Sequence, residues 1–398
     1  MRISSGVGVR RCSTRISVRT TECPRALNRS AGSLYTKDME QPSAAASEPT
    51  CAPVTGAVPA ITAGRRDFLR NAIIGASALT GMRAAFAGHA LPIVQSPTAT
   101  PSAGAAVSPG SVVPGVIRLA HLTDIHVQPE LGAEEGMASA FNHAQSMKPD
   151  LIITGGDAVM DVFEAKRARA EQLRTIFQGT LKRECGVPVH HVTGNHDILG
   201  WNRKKSESTG TEADWGKRFA CDLFGVARNY YTFDHGPWRF ICLDSVQPKG
   251  DGYTAYLDDA QYEWLKQTLA ATPKSMPIAV VSHIPILSLT ALTYGTPRSR
   301  EYVGTDTVIY HGEMHTDATL LHDLFKQAGN VKVCLSGHVH LLDHCMIDGI
   351  SYICDGAVCG SWWKGSLQGI PEGYGVLDLR PDGTFTHRYE RYGWQARK

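Results

Sequence analysis

The 398-residue chain lacks several features, and each absence narrows what it can be. No Cys-x-x-Cys pair occurs among its ten cysteines. Cys12, Cys23 and Cys51 lie near the start. The seven that follow (Cys185, Cys221, Cys242, Cys334, Cys345, Cys354 and Cys359) are an odd number, which argues against a complete disulfide framework. No apolar run is long enough for a membrane span. The best candidate, Ala72 to Ala87, is short and interrupted by glycine and Arg83. There is little net charge. The formal value is +2, and of the 40 Lys and Arg, 12 fall before residue 88 against 5 acidic residues, leaving 28 basic against 33 acidic groups in the body. A mildly acidic body argues against nucleic acid as a partner, and Arg203-Lys204-Lys205 reads as a solvated loop. Internal repeats are absent too. What is present is a 42% hydrophobic content, enough for a real core, and a length that suits one large or two modest domains.

Residues 1–64 are rich in Arg, Ser, Ala, Thr and Pro without periodicity and read as a disordered leader. Within it, residues 1–35 also have the Arg-rich, acid-poor make-up of an organellar transit segment. Residues 65–90 differ. Gly64-Arg65-Arg66-Asp67-Phe68-Leu69-Arg70, a soft apolar stretch and Ala85-Phe86-Ala87 resemble a twin-arginine export signal with a small-residue cleavage site. That resemblance implies a bacterial protein carried folded by the twin-arginine translocation machinery, periplasmic or secreted, with no stable membrane span after processing. Residues 91–115 form a Pro/Gly/Ser/Ala linker. The folded domain is expected over 116–395.

Within that body, strand and helix patterns alternate. Strands are expected over Val116–Leu122, Asp150–Thr154 and Val187–Thr193, with helices over 134–147 and 161–178 between them, which indicates a largely parallel sheet. A strand pair about Gly236-Pro237, a helix over 259–269 and a strand over 277–282 follow. Residues 286–316 read as a long irregular loop of the kind that covers sites. After a helix over 320–327 and a strand over 331–336, Leu341–Ile347 and Ile350–Ile353 form a hairpin about Asp348-Gly349. That register opposes Ile347 to Ile350 and Cys345 to Tyr352, so Cys345 and Cys354 do not face each other. Strands over 374–379 and 384–389 close the domain. Cys242 and Cys334, inside apolar strand patterns, read as buried thiols.

Five of these strands end in residues that bind metals. Asp124 and His126 follow the first, and alternation along an extended chain puts them on one side. Asp157 follows the second after Gly155-Gly156. The third ends in Gly194-Asn195-His196-Asp197, where Gly194 is expected to supply the backbone freedom for a sharp reversal. His283 follows the 277–282 strand. Gly337-His338-Val339-His340 follows the 331–336 strand. Carboxylate and imidazole in such numbers suit a first-row metal. His311 and His315 are also spaced four apart, but no neighbouring pattern supports a site there. His121, His143, His190 and His191 match no ligand position and read as packed histidines, with His121 and His191 near enough in sequence to support the ligands.

The five blocks together resemble the calcineurin-like metallophosphoesterase superfamily, over about residues 116–390. The resemblance implies an α/β fold, a four-layer αββα sandwich of two mixed β-sheets flanked by helices. It implies two divalent or trivalent metal ions, one held by Asp124, His126, Asp157 and His340, the other by Asp157, Asn195, His283 and His338, with Asp157 bridging. His196 is implied to be catalytic rather than a ligand, stabilising the transition state or protonating the leaving oxygen, and Asp197 is expected to orient it. Two such ions, less the charge of their ligands, leave roughly one positive charge facing the phosphate, and they make hydroxide available from bound water at neutral pH. The expected activity is hydrolysis of a small-molecule phosphoester, a phosphodiester such as a cyclic nucleotide before a phosphomonoester. A chain that folds before export can load iron or manganese inside the cell, where raw affinity would favour zinc or copper; a Fe/Mn pair is expected, with zinc the alternative. The rival from another class is a non-catalytic metal-holding envelope scaffold, which would have no use for His196. Trp362 and Trp363 suit either a substrate wall or the core.

Overall fold

The computed structural model describes residues 115–293, 300–303 and 306–397. The segments expected to be the leader and the twin-arginine signal, and the expected linker up to residue 114, lie outside them. The elements run β1 (Ile117–Leu122), α1 (Ala133–Ser146), β2 (Leu151–Thr154), α2 (Arg167–Glu184), β3 (Val189–His191), α3 (Arg203–Ser206), α4 (Lys217–Phe224), β4 (Tyr231–His235) and β5 (Trp238–Leu243). There follow β6 (Val246–Lys249), β7 (Gly252–Ala255), α5 (Asp259–Ala271), β8 (Ile278–Ser282), α6 (Thr290–Thr293), β9 (Arg300–Val303) and β10 (Asp306–Ile309). The last are α7 (Ala318–Ala328), β11 (Val331–Ser336), β12 (Asp343–Ile347), β13 (Ile350–Cys354), β14 (Gly373–Leu379) and β15 (Phe385–Arg391).

Two large sheets carry the fold. One has five strands in the order β15-β14-β1-β2-β3, the other six in the order β12-β13-β11-β8-β5-β4. Each is parallel at its centre and antiparallel toward an edge, so both are mixed. Strand alternation explains the layers. In β1, Leu119 points between the sheets while Ala120 and Leu122 point at helices. In β8, Ala279 and Val281 meet the first sheet while Ile278 and Val280 meet α5 and α7. Both faces of the central strands are therefore buried, which is why they read as continuous apolar runs. Phe141 of α1, Leu173 and Phe177 of α2 and Phe219 of α4 cover the outside of the first sheet. Leu265 of α5 and Leu321 and Phe325 of α7 cover the second. This is the expected αββα sandwich. Among the described residues no helix is long and apolar enough to cross a membrane.

Several local expectations shift. The helix expected over 161–178 begins at Arg167, because 161–166 is held as a turn by Val162 N–H donating to the His196 carbonyl and Glu164 N–H to Asp161. The 286–316 segment is not structureless; it holds α6 and the β9–β10 pair, and its far end is tied back by His315 N–H to the Pro285 carbonyl and Thr316 N–H to that of Ala255. The 341–354 hairpin has the expected register, Ile347 opposite Ile350 and Cys345 opposite Tyr352. All seven cysteines of the body are free, and Cys242 and Cys334 are buried.

Candidate metal centre

The loops that leave β1, β2, β3, β8 and β11 meet at one end of the paired sheets. In the first group, His126 Nε2 lies 3.1 Å from His340 Nε2 and 3.5 Å from Asp157 Oδ2, and His340 Nε2 lies 3.3 Å from Asp124 Oδ1. In the second, His283 Nε2 lies 3.2 Å from Asn195 Oδ1, 3.3 Å from Asp157 Oδ2 and 3.3 Å from His338 Nδ1. One oxygen, Asp157 Oδ2, belongs to both groups. All seven residues expected to hold metal are thus brought together.

They converge for a different reason from strand alternation. Asp124, His126, Asp157, His338 and His340 all lie beyond their strands with left-handed backbones, φ between 45° and 72°. Non-glycine residues pay for that conformation, and it persists only where the surroundings over-determine it. Here they do. Asp124 N–H donates to the Gly156 carbonyl, His126 N–H to that of Asp157, and His338 N–H to the Asp124 carboxylate at 2.9 Å. Gly194 also departs from expectation. Its φ of −96° and ψ of 174° are ordinary extended values. Glycine is needed because a Cβ there would sit 2.1 Å from Asp157 Oδ1. Likewise a Cβ on Gly337 would lie 2.2 Å from Asp124 Oδ2, and one on Gly156 2.4 Å from His283 Nδ1. The motif glycines are gaps into which ligand side chains are set.

Tautomers follow from the partners. His283 Nδ1 donates to the Gly155 carbonyl at 2.9 Å and His340 Nδ1 to that of Gly360 at 2.7 Å. Carbonyls only accept, so in the neutral rings both Nε2 atoms present lone pairs to the carboxylates. Lone pairs and carboxylate oxygens packed at 3.1–3.5 Å call for positive charge. The titration behaviour agrees. Burial opposes charge on His283, yet Asp157 and Asp124 outweigh it and lift its pKa to about 9. Burial also opposes ionisation of Asp124, and His340 and His283 hold it well below the carboxylate range regardless. The donor set, four imidazoles, two carboxylates and a neutral amide oxygen, fits a pair of first-row ions.

His196 stands beside this cluster. Its ring meets His126 edge-on at 4.9 Å, its Nε2 is 3.9 Å from Asp157 Oδ2, and its side chain is 25% exposed to a cleft of about 260 Å³. The carboxylate at its other nitrogen is Asp161, 3.4 Å from Nδ1, and not Asp197 as the sequence suggested. Asp197 is fully buried and both its oxygens are taken. Oδ2 accepts from Gly194 N–H at 2.9 Å, and Oδ1 from Ala158 and Val159 N–H. It closes the turn that carries Asn195 and His196.

A family model described as calcineurin-like phosphoesterase matches residues 117–342. The chain belongs to that family. It is accordingly a metal-dependent phosphoester hydrolase of the binuclear type. Among solved structures, a dimetal phosphatase from Danio rerio aligns at 14% identity over 69% of this chain and 96% of its own, with a TM-score of 0.47. GAP50, the anchor in the inner membrane complex of Plasmodium, aligns at 17% identity over 70% and 85%, with a TM-score of 0.44. The phosphopantetheinyl hydrolase of Mycobacterium tuberculosis aligns at 16% identity over 62% and 91%, with a TM-score of 0.38. A comparison with curated proteins finds no match.

The remaining histidines of this phosphoesterase sit elsewhere. His121 bonds Asp355, His143 bonds Tyr374, His190 stacks on Phe233 and His191 on Phe224. His315 lies between Ser282 Oγ (3.1 Å) and Asp317 Oδ1 (2.9 Å), an arrangement like a hydrolase triad. Ser282 is only 1% exposed and its hydroxyl donates to the Ile284 carbonyl, so the trio is a fastening for the loop. Sequence reasoning missed Asp161, Tyr253 and Glu313, all beside the cluster; no motif marks them. A larger hollow of about 320 Å³, lined by Lys332, His344 and Phe385 among others, contains none of the ligand residues.

Proposed function

We propose that this phosphoesterase is exported by the twin-arginine route and hydrolyses phosphodiesters, cyclic nucleotides among them, in preference to phosphomonoesters. The observation that carries the hydrolytic assignment is the single oxygen Asp157 Oδ2, 3.5 Å from His126 and 3.3 Å from His283, as a residue shared by two ions requires. Asp124, His126, Asp157 and His340 would hold one ion, and Asp157, Asn195, His283 and His338 the other. When bound, such ions clamp phosphoryl oxygens and provide hydroxide at neutral pH. His196, on the cleft side and backed by Asp161, is placed to donate a hydrogen bond to a phosphoryl oxygen or a proton to the leaving alcohol. A scaffold would not need a partly exposed imidazole held there.

Charge supports the diester preference. Among the described residues no Lys or Arg lines the cleft, while Glu313 does. A monoester dianion would bring a second negative charge against it; a diester monoanion would not. The test is hydrolysis of bis(p-nitrophenyl) phosphate against p-nitrophenyl phosphate by metal-loaded protein, with chelator as control. Faster monoester turnover would overturn the preference, and no chelator-sensitive turnover of either would overturn the reading. We read the chain as leader 1–64, signal 65–90, linker 91–115 and catalytic domain 116–395. Export is tested by replacing Arg65-Arg66 with Lys-Lys, which should trap the protein in the cytoplasm; unchanged export defeats that part. Folding before export supports an iron or manganese pair.

A further inference from the structure

The segment after Cys359 is unusual in carrying two adjacent tryptophans, both with left-handed backbones, φ 50° at Trp362 and 67° at Trp363. For bulky residues that is an outlier, held by its surroundings and worth a functional account. The firmest hold is at Trp363. It is fully buried, its Nε1 donates to the His126 carbonyl at 3.0 Å, and Trp394 meets its ring edge-on at 5.5 Å. Its ring fills the place of a side chain at residue 136; a Cβ on Gly136 would be 2.0 Å from it. Trp363 is an anchor, and the strained backbone it imposes turns Trp362 the other way.

Trp362 lines the cleft beside the metal ligands. Its ring lies 4.6 Å from that of His340 and 6.2 Å from that of His126, yet it stays 36% exposed. Large apolar rings gain from leaving water, so its exposure beside the reacting centre is a cost carried by the fold. Leu341 and Leu367 line the same cleft. An aromatic face of this kind takes planar rings by stacking, with little dependence on ring identity.

We propose that Trp362 is the residue that selects substrates, stacking a planar ring carried on the ester arm of the phosphodiester next to His340. This rests on the phosphodiesterase reading of the same site. The ring is an aryl group or nucleobase on the arm that stays on phosphorus, not on the leaving alcohol; a simple alkyl group in that place leaves the tryptophan face uncovered.

The test compares thymidine 5′-(p-nitrophenyl) phosphate with methyl p-nitrophenyl phosphate, which release the same p-nitrophenolate, in the wild-type full chain, Trp362→Ala and Trp362→Phe. The ratio of the two kcat/KM values should fall roughly tenfold in Trp362→Ala, through KM of the thymidine ester, and largely recover in Trp362→Phe. Titration calorimetry with thymidine 5′-phosphate and methyl phosphate reads binding without turnover, and the same ratio should fall. A loss shared equally by both compounds, or no loss, overturns the proposal and leaves Trp362 a cover for His340. If the wild type hydrolyses neither ester, the phosphodiesterase reading fails while the binding ratio still decides the role of Trp362.

Discussion

Replacing Gly194 by alanine separates two uses of glycine. The backbone there, φ −96° and ψ 174°, suits any residue, so conformation contributes nothing to the cost. Contact contributes all of it. The new methyl would lie 2.1 Å from Asp157 Oδ1 and 2.2 Å from the Asp157 backbone nitrogen, and a backbone atom cannot swing aside as a side-chain tip can. Relief means moving Asp157 by roughly 1 Å, a displacement that can cost about 100-fold in rate at a reacting centre. Overpacking of this kind costs about 1–3 kcal/mol. The same movement breaks the 2.8 Å bond from His196 N–H to Asp157 Oδ1, and a bond to a charged acceptor contributes about 1.5–3 kcal/mol. The expected total is about 2.5–6 kcal/mol of stability. The control is Gly225→Ala. Gly225 caps α4 with φ 67° and has nothing within 4 Å, so only conformation is charged there, about 1 kcal/mol. Urea unfolding measures both variants, elemental analysis their metal content, and chromogenic diester hydrolysis their rate. The reasoning is refuted if Gly194→Ala unfolds and turns over like the wild type, or if Gly225→Ala is the more damaged of the two.

Asp355, fully buried, accepts from His121 Nδ1 at 2.7 Å and His387 Nε2 at 2.8 Å; burial raises its pKa, but these bonds outweigh that and bring it from 3.8 to about 2. A depressed carboxylate pKa stabilises the fold above the unfolded value and is lost as pH falls through the folded one, so Asp355 contributes about 2 kcal/mol near neutrality and about half of that by pH 3. The stability gap between wild type and Asp355→Asn should therefore narrow between pH 5 and pH 3 in chelator-treated protein, and a constant gap contradicts the assignment. His196→Ala should retain metal by elemental analysis while losing about 10²–10⁴-fold in kcat, the scale of general acid help; undiminished turnover removes His196 from the chemistry. Native protein should carry iron or manganese at two ions per chain, and only zinc on analysis would count against loading before export.

The residues proposed to hold metal were legible because each stands at a strand end, where an apolar run stops at a short polar block. The layers were readable for the same reason: Ile278-Ala279-Val280-Val281 is apolar on both faces and must lie between two layers. Two of the physical reasons were nonetheless different from those the pattern offered. Alternation does not place Asp124 with His126, since both lie in left-handed turns beyond β1. Gly194 does not bend the chain; it makes room for Asp157. What stayed hidden depends on distant residues or on short elements. Asp161 takes the place expected of Asp197 because Asp197 is occupied by three backbone N–H groups, two of them 38 and 39 residues away. The β6–β7 hairpin, with Pro248 in one strand, has a loop-like composition and pairs all the same. The eight-residue α4 is too short for periodicity to reveal.

The ligand loops hold one another as well as any ion. Asp124 shows it best. One carboxylate oxygen accepts from Thr123 Oγ1 at 2.6 Å and from His338 N–H at 2.9 Å, while the other faces His340 at 3.3 Å. Its own carbonyl accepts from Cys359 N–H at 3.2 Å, at the start of the segment whose Gly360 carbonyl orients His340 and whose Trp363 grips the carbonyl of His126. A ligand from the first sheet thus fixes the backbone of a ligand from the second, and the tryptophan segment fixes both. This closed circuit is what keeps five left-handed residues in place, and it means the geometry does not wait for a substrate to assemble it. Preorganised charge of that kind stabilises a transition state without reorganisation at the moment of reaction. It also accounts for the exposed Trp362: the segment must thread through the ligand set to support His340 and His126, and its one outward-facing ring is left where an ester arm would lie.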